Sequence, residues 1–360
     1  MRVVLVAGGT GGHVFPAIAL GEYLRDQKGC EILFVGVNNK MEATEVPKHD
    51  IKFVGLEMRG FVGSVANRLK CLQLVAKNIG VSKKLLKEFK PDIVIGFGGY
   101  ICVPVLLAAK QMNIPTMLHE QNSVAGLANK ILGKTADGIV ICFQNAFDTF
   151  PKEKTKLLGS PRATMLTLKE KDPSILSELQ VLGGRKLVYI VMGSLGSESI
   201  NAAMSDVIRE LSKNNDIELV YVTGPKHYED VVSTLGELPP HIHVVAFTDQ
   251  ERLLPFVDVM VCRAGATTIA ELCALGVPSI LIPSPYVAHN HQYLNAKELV
   301  DKGACLLVEE KDLTCDVVTG KILELCGNDA MRKELSDHAK TFGRLDACER
   351  ISEYIHELIK

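Results

Sequence analysis

The residues in this 360-residue chain best suited to chemistry sit in loops where glycine, hydroxyl and imidazole groups crowd together. After the apolar run 3–7 comes Gly8-Gly9-Thr10-Gly11-Gly12-His13, followed by a helical stretch that begins near Val14-Phe15-Pro16. Glycine lets backbone N–H groups approach an anion closely, and a helix start adds partial positive charge, so the loop reads as a phosphate site. The plainer reading, a tight strand-to-helix turn, leaves most of the four glycines unexplained. His13 at the helix start is a candidate general base; taken alone, it is more simply a histidine that hydrogen-bonds its loop. The spacing misses G-x-G-x-x-G because Val14 stands where the third glycine belongs, which counts against a nicotinamide dehydrogenase.

A second loop of this kind, Gly96-Phe97-Gly98-Gly99-Tyr100, again lies between a strand pattern and a helical one, and His119-Glu120-Gln121-Asn122 follows a third short strand. Four adjacent polar side chains favour a polar ligand over a single helix cap. In the second half, Met192-Gly193-Ser194-Leu195-Gly196-Ser197 and Arg263-Ala264-Gly265-Ala266-Thr267-Thr268 each close a strand and open a helix, offering backbone donors for a diphosphate. Glu271 could accept two hydrogen bonds from a ribose diol, although Thr268-Ile269-Ala270-Glu271 also matches a capping box. Gln292 and Asn295 are three apart, hence on one helical face, and suit sugar hydroxyls. The pairs His241-x-His243 and His289-x-His291 lack partner ligands and read as ordinary polar surface. No D-x-D occurs, so no metal is expected to clamp a diphosphate through such a motif.

Short apolar runs alternate with amphipathic stretches through residues 3–141, and the pattern restarts at 187–191. Such alternation implies parallel sheets, and the length exceeds what one core holds, so two doubly wound α/β domains are expected. Ligands should then gather beyond the carboxyl ends of the strands. The domain boundary is placed near 162, giving domains 1–162 and 163–340, with a helical tail 341–360 that could pack on either. The ten cysteines form no C-x-x-C pair, so a zinc or redox role has no support. A net charge of -2 gives no reason to expect nucleic-acid binding. The apolar run before the first glycine is too short for a signal peptide, and no stretch reaches the length of a membrane span, so a soluble or at most peripheral protein is expected. One segment departs from this neutrality. From Arg59 to Lys90 there are eight basic residues against the single acid Glu88, and Leu69, Leu72, Ala76 and Ile79 recur at helical spacing. A basic amphipathic helix on an anionic membrane and a core-facing helix with a solvated basic face both fit this pattern.

Together these loops, in order and at similar intervals over nearly the whole chain, resemble the MurG family of UDP-N-acetylglucosamine transferases. The carrying segments are residues 8–16, 96–100, 119–122 and 292–296. Leu195 stands where the family usually has glutamine, and Gly159-Ser160-Pro161-Arg162 approximates its G-N-P-x-R. The resemblance implies a GT-B fold of two facing Rossmann-like domains with an interdomain cleft. It also implies an inverting, metal-independent transfer of N-acetylglucosamine from UDP-GlcNAc to the C4 hydroxyl of the muramoyl sugar of lipid I, forming lipid II, without cofactor, at the cytoplasmic face of the bacterial membrane. Matched residue by residue, it assigns Thr10, Gly11, Gly12, Asn122, Arg162, Ser194, Phe247, Ala266, Thr267, Thr268, Ile269, Ala270, Glu271 and Gln292 to the donor. Gly9, Gly98, Gly99 and Tyr100 go to the acceptor diphosphate, and His13 to the base role with Glu120 behind it. The runner-up is a UDP-N-acetylglucosamine 2-epimerase or another GT-B sugar transferase. A non-enzymatic sugar-nucleotide or lipid-binding subunit would keep the glycine loops but tolerate loss of His13.

Overall fold

The computed structural model describes residues 1–60, 65–193 and 198–360. The chain forms two compact units, the first made of Met1–Met165 with Arg344–Lys360 and the second of Leu166–Gly343. The divisions therefore fall at 165/166 and 343/344, a few residues beyond the positions read from composition. Residue 162 lies inside a helix, Pro161–Leu168, that the polar character of the following stretch obscured.

Among the described residues the first unit holds a seven-stranded sheet built from β1 (Arg2–Ala7), β2 (Glu31–Val37), β3 (Lys52–Leu56), β4 (Ile93–Gly98), β5 (Thr116–Glu120), β6 (Gly138–Ile141) and β7 (Thr155–Leu157). Its order is β3-β2-β1-β4-β5-β6-β7, with every pairing parallel. Alternate residues along a strand serve opposite faces. Val4 and Val6 pack with Leu33, Val35, Leu86 and Val105 on one side, and Val3, Leu5 and Ala7 pack with Ala17, Leu24 and Phe34 on the other. Helices cover both faces, which is why the central strands are apolar throughout rather than alternating. The edge strands β3 and β7 escape a hydrophobic reading because they are half exposed or only three residues long.

The helices that matter for the site are α1 (Gly11–Lys28), α2 (Glu42–Glu45), α3 (Val65–Phe89), α4 (Cys102–Gln111) and α5 (Leu127–Leu132). The tail helix Ala347–Leu358 belongs to the first unit. It buries Cys348, Ile351, Tyr354 and Ile355 in the same cluster as Ala17 and Leu24. Tyr354 donates its hydroxyl to Lys154 O at 2.8 Å, and Lys28 pairs with Glu349 at 2.8 Å.

The second unit repeats the architecture with six parallel strands among the described residues. They are β8 (Lys186–Val191), β9 (Ile217–Val222), β10 (Ile242–Val245), β11 (Val259–Cys262), β12 (Ser279–Leu281) and β13 (Leu306–Leu307), in the order β10-β9-β8-β11-β12-β13. β10 carries His243, while His241 is buried, so this pair is not ordinary polar surface. His243 Nε2 lies 3.1 Å from the buried Glu218 carboxylate, an interior polar contact that hydropathy could not reveal.

Candidate active site

At the carboxyl edge of the first sheet, β1, β4 and β5 end side by side and bring three glycine-rich or polar loops together. α1 starts at Gly11 with Thr10 as N-cap, and the Thr10 side chain makes no capping bond. The N–H groups of Thr10, Gly11 and Gly12 meet no acceptor among the described residues, so this helix start presents donors to an anion. Gly9 behaves differently. Its N–H turns inward, 3.5 Å from Glu42 Oε2, so the diphosphate donor expected at Gly9 is instead engaged within the protein.

The second loop closes on the first through backbone. Gly8 N–H donates to Gly98 O at 3.3 Å. Gly98 and Gly99 have φ of +120° and +86°, where L side chains are rare. A Cβ on Gly99 would sit 2.4 Å from Gly8 O, and one on Gly98 would sit 2.7 Å from His13 Cδ2. Beneath them the Cys102 sulfur accepts from Gly98 N–H at 3.3 Å, and burial pushes its thiol up to about 12, keeping it protonated. Tyr100, half-buried, leads into α4. His13 Nδ1 lies 3.1 Å from Gly8 O and 3.3 Å from Thr10 Oγ1. A carbonyl can only accept, so the first contact places the proton on Nδ1 and leaves the Nε2 lone pair for chemistry.

The third loop departs from expectation, because His119, Glu120 and Gln121 are buried and only Asn122 is half-buried. Burial pushes His119 down to about 4, so it is a neutral imidazole; Nε2 meets Gly159 O at 3.1 Å and Nδ1 accepts from Gln121 at 3.0 Å. Its ring stacks on Phe97 with centroids 4.9 Å apart. Glu120 Oε1 accepts from Asn122 N at 3.0 Å, and Oε2 accepts from Gly126 N at 3.1 Å and Asn129 Nδ2 at 2.9 Å. With both oxygens engaged by the protein, Glu120 braces the turn into α5, an arrangement unlike that of a residue free to take a substrate proton. Arg162 is half-buried, its guanidinium 5.9 Å from the Phe15 ring centroid.

In the second unit, the loops after β9, β10, β11 and β12 share one carboxyl edge. The helix Ala266–Leu275 starts after Gly265, an N-cap with no side-chain bond. Thr268 is therefore its third residue, and the capping-box reading of Thr268 to Glu271 falls. The Thr267 hydroxyl oxygen is buried with no hydrogen-bond partner, an unsatisfied group at an open helix start that a bound oxyanion would satisfy. Ile269 faces the core, while Thr268 and Ala270 are partly exposed. Glu271 is buried and accepts from Gln250 at 2.7 Å. Phe247 is 68% exposed, its ring free for a planar ligand. Gln292 Oε1 accepts from Ser284 N at 2.9 Å, and Asn295, fully buried, donates to Ala264 O at 3.3 Å. Asn295 thus braces the loop after β11 from inside. Ser194, expected as a donor contact, lies outside the described residues. Among the described residues no group of three His, Cys, Asp or Glu side chains is placed to hold a metal ion.

Sequence reasoning passed over Glu42, a fully buried carboxylate under the first loop. The available signal was Gly36 near the end of an apolar strand, where a missing side chain points to a close neighbour.

Two parallel-sheet units, each with glycine turns and open helix starts along one carboxyl edge, are the architecture of the GT-B fold, which MurG shares. The chain belongs to glycosyltransferase family 28. The family's N-terminal domain matches residues 3–141 and its C-terminal domain matches residues 187–351. It is 40% identical, over the full length of both chains, to a protein of Listeria monocytogenes named UDP-N-acetylglucosamine--N-acetylmuramyl-(pentapeptide) pyrophosphoryl-undecaprenol N-acetylglucosamine transferase. It is 39% identical over the full length of both chains to the protein of the same name from Bacillus subtilis. The crystal structure of Acinetobacter baumannii MurG superposes with a TM-score of 0.79 at 28% identity, covering 99% of each chain. A UDP-GlcNAc 2-epimerase from Neisseria meningitidis, 14% identical, shares the fold with a TM-score of 0.71, covering 99% of this chain and 100% of its own.

Proposed function

We propose that this protein transfers N-acetylglucosamine from UDP-GlcNAc to the C4 hydroxyl of the muramoyl sugar of lipid I, yielding lipid II and UDP. The full-length 40% identity to the Listeria transferase carries this reading. Likeness to the epimerase extends to fold alone, which leaves epimerisation without comparable support.

In this reading the acceptor oxygen attacks C1 of the donor sugar while the bond from C1 to the diphosphate oxygen breaks, and the electron pair leaves with UDP. The acceptor proton passes to His13 Nε2, the nitrogen left unprotonated by the contact to Gly8 O. Negative charge growing on the leaving diphosphate is met by N–H groups at the helix start Ala266 to Thr268. The loop of Gly98, Gly99 and Tyr100 faces the acceptor diphosphate, and Phe247, Glu271 and Gln292 contact the donor. Radiolabelled UDP-GlcNAc with a lipid I analogue tests the whole: labelled disaccharide lipid is expected at an unchanged rate in excess EDTA. Release of the manno epimer from donor alone would overturn the assignment, and strict Mg²⁺ dependence would overturn stabilisation by backbone donors.

Glu271 offers a sharper test of the donor side. Glu271→Gln keeps an acceptor for Gln250 but removes the charge that holds a ribose diol. The expected result is a donor KM raised about tenfold, with stability changed by no more than about 1 kcal/mol. An unchanged KM with a lowered melting temperature would make Glu271 a purely internal brace.

For the acceptor, α3 supplies a membrane-facing surface. Cys71, Leu74, Asn78, Ser82, Leu86 and Phe89 turn inward, so the core-facing side of α3 is not the stripe expected from the sequence, of which Leu69, Leu72 and Ala76 are exposed and only Ile79 is partly buried. Leu69 and Leu72 remain 56% and 54% exposed beside exposed Arg68, Lys70 and Lys77, and Leu127 and Ile131 of α5 are similarly bare. Apolar side chains among cations fit peripheral attachment to an anionic bilayer at the cytoplasmic face. Among the described residues no helix is long and apolar enough to cross a membrane. Sedimentation with vesicles is expected to rise with anionic lipid content and fall with salt; binding indifferent to both would reject this surface.

A further inference from the structure

We infer that Glu42 is a positioning residue for His13, acting through the peptide that joins Gly8 to Gly9. This rests on the reading of His13 as base. Glu42 is fully buried, and among the described residues no basic side chain lies within ion-pairing distance. A buried carboxylate is costly unless strongly hydrogen-bonded, so its retention calls for a reason. Its Oε1 accepts from Val37 N–H at 3.0 Å, and its Oε2 faces Gly9 N–H at 3.5 Å. Two strand ends give up side chains to admit it. A Cβ on Gly8 would lie 2.7 Å from Glu42 Oε1, and one on Gly36 would lie 2.6 Å from Glu42 Cγ.

The N–H that Glu42 draws inward belongs to the same peptide unit whose carbonyl, Gly8 O, meets His13 Nδ1 at 3.1 Å. A trans peptide is planar, with its N–H and C=O pointing opposite ways, so holding one end aims the other. The carboxylate also polarises the unit, making Gly8 O a better acceptor, because hydrogen bonds in series strengthen one another. Carboxylate, peptide and imidazole thus form one line, in which the peptide stands between acid and histidine. Its effect is to keep the proton on Nδ1 and the lone pair on Nε2. Thr10 Oγ1, 3.3 Å from Nδ1, can donate or accept and so selects neither tautomer. A Cβ at position 98 would fall 2.7 Å from Cδ2 and 2.8 Å from Nε2, so glycine there leaves the room the ring occupies.

The test is nitrogen NMR of the full chain labelled at histidine, with the His13 signals assigned by their loss in His13→Ala. At a pH where the imidazole is neutral, the wild type is expected to show His13 protonated on Nδ1. In Glu42→Gln the population is expected to move towards the Nε2–H form. With that shift, kcat should fall about tenfold, a part of the roughly 10²–10⁴ that a general base supplies, while donor KM stays within about twofold. Thr10→Val, which leaves Glu42 in place, is expected to retain the Nδ1–H form and decides the matter even if Glu42→Gln fails to fold. An Nε2–H tautomer in the wild type would overturn the proposal. So would an unmoved tautomer in folded Glu42→Gln, or a tautomer that shifts in Thr10→Val. The tautomer is read without turnover, so a near-normal rate in His13→Ala would remove the base and leave the Glu42 contact standing, which separates the two failures.

Discussion

His13→Ala is expected to lower kcat by about 10²–10⁴-fold while UDP-GlcNAc still binds. The reasoning is geometric. His13 is half-buried in the first turn of α1, its Nδ1 is occupied by Gly8 O, and its remaining nitrogen keeps a lone pair that can accept a proton. Removing the ring should leave the backbone donors of Thr10 to Gly12 in place, because the start of α1 is held by main-chain bonds from His13 N and Val14 N to Thr10 O. Equilibrium binding of UDP-GlcNAc, measured beside single-turnover transfer, separates the two effects. A rate within a few fold of wild type would return His13 to the role of a loop histidine.

Gly99→Ala should be nearly as damaging, through the fold. The added methyl would meet a main-chain oxygen, Gly8 O, at 2.4 Å, in a residue with φ of +86°. Neither loop can yield without opening the contact between β1 and β4, so strain and overpacking together should cost about 2–4 kcal/mol. That corresponds to a drop of roughly 10 °C in the melting of the first unit, with transfer lost alongside. Gly9→Ala is the internal control: its φ of +93° carries the same backbone penalty, yet nothing lies within 4 Å of the new methyl. A cost near 1 kcal/mol is expected there. Equal melting temperatures for the two variants would show that the loops do not depend on close glycine-to-glycine contact.

Much of this architecture was legible because central strands of a doubly covered parallel sheet are continuously apolar, as in residues 3–7 and 259–262. What could not be read was direction. His119, Glu120, Gln121 and Asn122 look alike in a sequence, yet three point inward and one is partly open, a distinction set by how β5 turns into α5. The same holds for Gln292 and Asn295. They share a helical face, but one braces Ser284 while remaining partly open and the other is sealed beneath Ala264. Glu42 escaped notice because an isolated glutamate at a helix start is ordinarily a surface residue favoured by the dipole. Only the two glycines packed against it disclose its depth.

The return of residues 344–360 to the first unit has a consequence for synthesis. The half of the protein that emerges first from the ribosome cannot finish its hydrophobic interior until the last helix is released, since Ile351 and Ile355 pack there. The later-made half, 166–343, can reach its final state earlier. Nascent chains stalled before residue 344 would therefore carry a completed second half and a first half awaiting its closing piece, an opening for chaperones and proteases alike.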